Sequence, residues 1–355
     1  MNQKTDLFTK IMETTPWKNE CNPLWPFTAF ILRRNLGKYF FPSKMQSNEA
    51  QQISETIKGA LISLPEMTQG YVLKKENLNP LDQELLQEHF LLTQGFSGGT
   101  NGFSLIANPA ASLLATINVG NHLEFHYVDS KTTLDAPWNI LSKIEEMAGN
   151  QLEFAFSPRF GYLTSDPAEC GTGLTIQAFL HLPAIIHTEK FSELWTKQND
   201  ESLIATGISG SPDDMIGDMV VIQNNFTLGV SEDAIVRSIQ NAASKLIITE
   251  KTVRTHLKKE GGSKIKDKIS KGYGLLVHSY ELEVKEALNL LSLIKLGLDL
   301  GWITGVQDNK LNELFFKCRR GHLSHLYPEL TDLKEIAHKR AEYLHSQLQG
   351  IQLTI

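Results

Sequence analysis

The sequence predicts a layered α+β protein in two parts, a sheet-and-helix domain over residues 1–258 and a helical domain over residues 259–355. Three observations predict it. Apolar and polar residues alternate over 103–128 and again over 173–226, the period of a strand with one buried face. From residue 281 onward apolar residues return at every third or fourth position, the period of a helix. A chain of 355 residues also exceeds what one small core organises.

Residues 6–12 open the chain as a short helix, followed by the Trp- and Pro-rich stretch PWKNECNPLWPF. Helices are expected over 48–64, where Ile53, Ile57, Ala60, Leu61 and Leu64 share a face, and over 81–92. The loop SGGTNG (97–102) precedes two strands, 103–108 and 112–118, joined in hairpin fashion by Pro109 and alanines. A third strand covers 122–128 and a helix 138–151. Strands follow at 173–183, 203–209 and 218–226. Ser231 caps a helix running to about His256, with Glu232 and Asp233 in its first turn, where the helix dipole favours negative charge. The basic segment 258–274 reads as a solvated linker containing the domain boundary, and helices follow at 281–300, 309–317 and 333–348.

Composition narrows the function classes. Hydrophobic content of 41% and charged content of 21% are those of a globular chain, not a disordered one. A net charge of -6 argues against general nucleic-acid binding, which leaves a strongly basic domain. No run of about 18 apolar residues is present to span a membrane, and the first residues lack the apolar core of a signal peptide, so a cytoplasmic protein is expected. Cys21, Cys170 and Cys318 lie far apart with no CxxC pair, which argues against a zinc ribbon or disulfide framework and leaves reduced thiols.

The common nucleotide signatures, GxxxxGK[ST] and a GxGxxG between strand and helix, are missing. SGGTNG has the backbone donors to cradle a phosphate, although a plain surface loop has the same composition. His322 and His325 sit at HxxH spacing without an acidic or cysteine ligand at a matching offset, so two surface histidines are expected and no metal. Ile294, Leu298 and Trp302 at helical spacing read as core.

The informative segment is RFGYLTSDPAECGTGLTIQAFLHLPAI (159–185), where a Gly-Thr-Gly turn opens a buried strand and permits close backbone approach to a ligand. It is joined by KYFFP (38–42), INVGNHLEF (117–125), IQNNFTLGVSEDAI (222–235), TEKTVRTHL (249–257), GYGLL (272–276) and LGLDLGWI (296–303). Together these segments resemble the landmarks of bacterial protein-arginine kinases, members of the ATP:guanidino phosphotransferase (phosphagen kinase) family, from about Phe27 to Leu344. The resemblance implies an antiparallel sheet flanked by helices, then a helical C-terminal domain that dimerises. It implies a reaction in which arginines clamp the phosphates of Mg-ATP, glutamates orient and deprotonate a guanidinium, and a cysteine assists in the substrate pocket. Such phosphoryl transfer rests on positioning and charge neutralisation. The implied partners are a second copy of the chain, a zinc-binding kinase-activator protein, a Clp-type unfoldase or an active kinase paralogue, with neither nucleic acid nor membrane among them.

Carried over position by position, the resemblance loses its chemistry. Where the family has serine-serine-arginine-isoleucine-arginine, this chain has Phe27, Thr28, Ala29, Phe30 and Ile31. The NEED element is Asn118, Val119, Gly120 and Asn121, and the arginine after it is Glu124, a charge reversal. The cysteine slot holds Asp166, and the arginine following the Gly-Thr-Gly turn is Thr175. The family's RGxYGE loop becomes Thr206, Gly207, Ile208, Ser209, Gly210 and Ser211, so the glutamate slots are Val119, Gly120 and Ser211. The C-terminal Arg-Asp pair that reads phosphoarginine falls on Ile336 and Ala337. What survives is mostly scaffold: Thr227 to Gly229, LGLDLG (296–301), and His89, Gly171, Thr172, Gly173 and Arg254, these last five standing as candidate nucleotide contacts.

Five phosphate-facing arginine positions are thus Ala29, Ile31, Glu124, Thr175 and Thr206. A hydrogen bond to a charged group is worth roughly 1.5–3 kcal/mol. Discounted to a third for non-additivity, five losses remove about 3–5 kcal/mol of the about 8 kcal/mol that holds a micromolar ligand. The expectation is a pseudokinase, a scaffold or regulator with no confident catalytic residue or cofactor. The alternative is an active kinase whose site is rebuilt around the carboxylates of Asp166 and Glu169.

Overall fold

The computed structural model describes residues 3–17, 22–93, 102–330 and 332–355. The SGGTNG loop, Gly102 apart, and Cys21 lie outside the described residues.

One eight-stranded sheet carries the first part of the chain. Its strands are β1 (Phe27–Arg34), β2 (Tyr71–Lys74), β3 (Ser104–Ala107), β4 (Leu113–Ile117) and β5 (Leu123–Asp129). A short ribbon, β6 (Phe156–Ser157) with β7 (Gly161–Tyr162), stands apart from it, and β8 (Leu174–His181), β9 (Leu203–Gly207) and β10 (Met219–Asn224) complete it. The order is β2-β3-β4-β5-β1-β8-β10-β9, and every neighbouring pair is antiparallel. Helices α1 (Gln3–Glu13), α2 (Ser47–Ile62), α3 (Pro80–Glu88), α4 (Asp135–Gly149), α5 (Pro183–His187), α6 (Phe191–Gln198) and the long α7 (Glu232–Glu260) flank it. Ser231 caps α7 as expected, its side chain accepting from the Ala234 amide.

β1 sits between β5 and β8 and was not anticipated as a strand. All eight of its residues are buried. With both faces covered, a strand has no reason to alternate, and FTAFILRR shows no period of two.

After α7 the chain is helical: α8 (Ser263–His278), α9 (Val284–Leu300), α10 (Asp308–Lys317), α11 (Arg320–Leu326) and α12 (Ile336–Gln347). The one exception to an all-helical remainder, among the described residues, is a two-residue ribbon pairing β11 (Ile303–Thr304) with β12 (Gln352–Leu353). The expected linker over 258–274 is mostly α8. Gly261 and Gly262, both at positive φ, make the break, and Ile265, Ile269, Gly272 and Leu276 form a buried stripe beneath the lysines. Composition concealed that stripe.

The two parts share one continuous core, which runs from Phe30, Ile176 and Ile222 in the sheet to Ile294, Leu314 and Leu344 beyond it. The apolar run of α9 belongs to this core: Leu288, Leu291, Ile294 and Leu300 are buried within the chain itself, so it gives no separate support to dimerisation. A buried polar chain also crosses the junction. His181 Nε2 lies 2.7 Å from Ser292 Oγ, which donates to Asp218 Oδ2 at 2.5 Å. The expected surface pair is corrected too. His322 is fully buried, its Nε2 2.9 Å from His89 Nε2 and its Nδ1 2.9 Å from the Glu88 carboxylate, while His325 is half-buried and reaches Asp82.

Candidate functional site

Strand register decides which side chains share a face. Ile31 of β1 lies opposite His126 of β5 and Thr175 of β8. Two residues back, Ala29 aligns with Gln177, and Gln177 with Gln223 of β10. Two residues on, Arg33 lies opposite Glu124. Because alternate residues point to one side of a sheet, these rows form a single surface. It floors a cavity of about 440 Å³ roofed by Phe90 and by Ile208 of the loop after β9.

Three of the five positions expected to correspond to family arginines, Ile31, Thr175 and Thr206, line this cavity. Ala29 occupies the same row of β1, and Glu124 stands beside Arg33. Of the polar side chains found here, Glu169 was named from the sequence as a candidate carboxylate, whereas Arg33, Gln177 and His126 were assigned no role. Arg33 donates from Nη1 to Thr175 Oγ1 at 2.9 Å and pairs through Nε with Glu169 at 3.1 Å. Gln177 donates to Gln223 at 2.7 Å. His126 lines the cavity almost fully buried, and neither ring nitrogen has a hydrogen-bond partner among the described residues. Parity was the available signal: Arg33 is two residues from Ile31, and His126 two from Glu124.

Glu124 is a built-in charge. Its Oε1 accepts from the backbone amide of Asn121 at 3.0 Å and from Asn121 Nδ2 at 2.9 Å, and His126 Nε2 stands 3.6 Å from Oε2. Burial opposes the carboxylate, but His126, Arg33 and Asn121 together outweigh it and hold the pKa at about 2. Residues 118–121 thus form a cradle for the Glu124 carboxylate. A Cβ on Gly120 would stand 2.7 Å from Glu124 Oε1, and Val119 turns to a second core cluster under α1 and α3. At Glu169 burial raises the pKa, partly offset by Arg33.

The five surviving candidate contacts lie elsewhere. His89 is buried against His322 behind Phe90. Arg254 pairs with Glu250 at 2.7 Å and with Asp299. The Gly171–Gly173 turn spends its backbone on the protein itself: the Gly171 amide bonds Tyr162, the Thr172 amide bonds Thr227, and the Gly173 carbonyl accepts from Arg33. Gly171, at φ +109°, approaches Thr227 so closely that a Cβ would stand 2.1 Å from its carbonyl oxygen. The close approach expected for a ligand is made by the chain's own backbone. Asp166 is exposed and caps the 3₁₀ turn Pro167–Glu169, and the Ser211 carbonyl closes its own loop onto Gly207. Ile336 and Ala337 are buried in α12.

The fold is that of solved phosphagen kinases. The duplicated taurocyamine kinase from Schistosoma mansoni matches with a TM-score of 0.58 at 20% identity, over 68% of this chain and 35% of that longer one. In sequence the chain is 33% identical over 340 residues to a protein-arginine kinase of Chlamydia pneumoniae, covering 94% of each. It is 34% identical over 300 residues to that of Chlamydia muridarum, covering 84% of each. Residues 52–253 match the ATP:guanido phosphotransferase C-terminal catalytic domain, and residues 262–354 the protein-arginine kinase McsB C-terminal domain. The chain belongs to the protein-arginine kinase family.

Proposed function

We propose that this chain is a protein-arginine kinase homologue that does not transfer phosphate and acts instead as a scaffold or regulator. One observation carries the reading. Arg33, the one arginine lining the sheet-face cavity among the described residues, is already ion-paired with Glu169, and Ile31, Thr175 and Thr206 replace the family's other cations there. A triphosphate entering would meet the carboxylate of Glu169, with that of Glu124 buried beside Arg33, against one guanidinium. Anions taken out of water without compensating charge are strongly disfavoured, so these residues do not fit Mg-ATP. Its partners, on this reading, are proteins: a second copy of the chain or an active kinase of the family.

The test is calorimetric titration with Mg-ATP beside a phosphoarginine assay on a generic protein substrate. A loss of about 3–5 kcal/mol moves a micromolar site by roughly 10²–10⁴-fold, to about 0.1 millimolar or weaker. The expected result is no binding tighter than that and no phosphoarginine. Micromolar affinity or turnover would overturn the proposal.

Glu169 favours a second reading. It is a cavity carboxylate whose proton affinity burial has raised, the property wanted of a base facing a guanidinium. On that reading Arg33 and Glu169 form a rebuilt site, and Glu169→Ala abolishes turnover that Asp166→Ala leaves intact.

A further inference from the structure

A separate cavity of about 380 Å³ lies where α3, the loop at Ile208, the first turn of α9 and the α10–α11 junction meet. One side is apolar, with Phe90, Ile216, Val284 and Leu288, and the other is charged. The charges are unequally paired. Arg320 makes two 2.7 Å hydrogen bonds to the Glu84 carboxylate, and Lys285 one of 2.7 Å to Asp214.

Arg319 has no carboxylate partner among the described residues. Its Nε donates to the Phe315 carbonyl at 3.1 Å and its Nη1 to the Glu88 carbonyl at 3.3 Å, with the guanidinium resting near the rings of Phe90, Phe315 and Phe316. Nη2 is buried without an acceptor, and the residue as a whole is 7% exposed. The Glu88 carboxylate is turned instead to the amides of Gly321 and His322 and to the His322 ring. Burial pushes its pKa up to about 7 against the pull of Arg319, so near neutrality it compensates the guanidinium only in part. A buried cation with an unmet N–H is an arrangement native proteins rarely leave unanswered.

We infer that this cavity binds a small organic monoanion, a carboxylate carried on an apolar body, with Arg319 as its anchor. Guanidinium donors suit a carboxylate in charge and geometry, and the facing apolar wall suits the body. With Arg320 and Lys285 neutralised by their partners, at most one positive charge is left to answer. A dianion such as phosphate would bring a surplus negative charge beside Glu84 and Glu88. The volume is in the range of small-molecule sites. The inference stands apart from the reading of the sheet-face cavity, with which this one shares Gln87, Phe90 and Ile208.

The full chain is titrated by calorimetry with phenylacetate, with its neutral isostere phenylacetamide and with inorganic phosphate. Phenylacetate is expected to bind saturably, and the amide and phosphate at least about 10-fold more weakly, as the loss of a charged hydrogen bond implies. Arg319→Met, which keeps volume while removing an unpaired buried charge, should weaken phenylacetate by at least about 10-fold. Val284→Trp fills the cavity without touching Arg319 and should abolish binding, so it decides the matter if the Met variant does not fold. No saturable binding of phenylacetate, binding unchanged in Arg319→Met or in Val284→Trp, or phosphate binding as tightly as phenylacetate would each overturn the inference.

Discussion

Replacing Glu250 with alanine should cost about 3–5 kcal/mol of folding stability, the range for removing one partner of a buried charged pair. Glu250 is fully buried on α7. Its Oε1 accepts from the Ala184 amide at 2.9 Å and from Arg254 Nε at 2.7 Å, and its Oε2 from the Ile185 amide at 2.8 Å. It therefore supplies the cap that Leu182 cannot give to α5, and it neutralises Arg254. Urea denaturation of the variant beside the parent measures the loss, and Glu250→Gln, which keeps an acceptor, should lose less. A change below about 1 kcal/mol would mean that Arg254 and α5 find other partners. The same experiment bears on Arg254 as a candidate nucleotide contact, because a residue held this way serves the scaffold.

Folding stability should fall steeply as the solution is acidified from about pH 7 to pH 5. Burial holds His89 and His181 neutral, lowering both pKa values well below 6.5, and lowers His322 to about 3. In the unfolded chain each takes up a proton near pH 6.5, so their contribution is present above that value and lost below it. Glu88 acts in the opposite sense. Its pKa is raised from 4.5 to about 7, so its contribution is full below about pH 4.5 and lost as pH rises through about 7. Between about pH 5 and 6 the unfolded chain therefore holds three protons on the histidines, and the folded chain one on Glu88. A difference of about two protons gives about 2–3 kcal/mol per pH unit, with stability rising with pH. His122, also lowered by burial, steepens the dependence, and His325, raised chiefly by its hydrogen bond to Asp82, softens it. Denaturant midpoints at several pH values measure the slope. A flat profile across this range would contradict the buried, neutral histidines.

The features legible in the sequence were those with a clear period or clear punctuation. β5 alternates Leu123 and Phe125 against Glu124 and His126, and Ser231 announces α7. β1 was missed because burial on both sides erases alternation and no short turn joins it to a following strand as one joins β3 to β4, and α8 because its four buried positions are interspersed with four lysines. The landmark segments single out positions 31, 175 and 206, but only strand pairing shows that these residues meet, since register joins Ile31 and Thr175 about 140 positions apart. The HxxH pair misled for a related reason. Whether a histidine faces water or another helix depends on what packs there, and α3 packs against α11.

The contact between Gly171 and Thr227 bears on how such a chain is recognised at all. A methyl group at Gly171 would collide with main chain that cannot swing aside as a side chain can, so assembly of the fold polices that position whether or not a nucleotide ever arrives. Side chains projecting into the cavity meet no such main-chain collision. A glycine turn of this kind is demanded by the packing of the main chain, so its presence speaks for the fold before it speaks for any chemistry. An inventory that infers activity from the Gly-Thr-Gly signature would be counting folds, and positions 31, 175 and 206 are the ones to read instead.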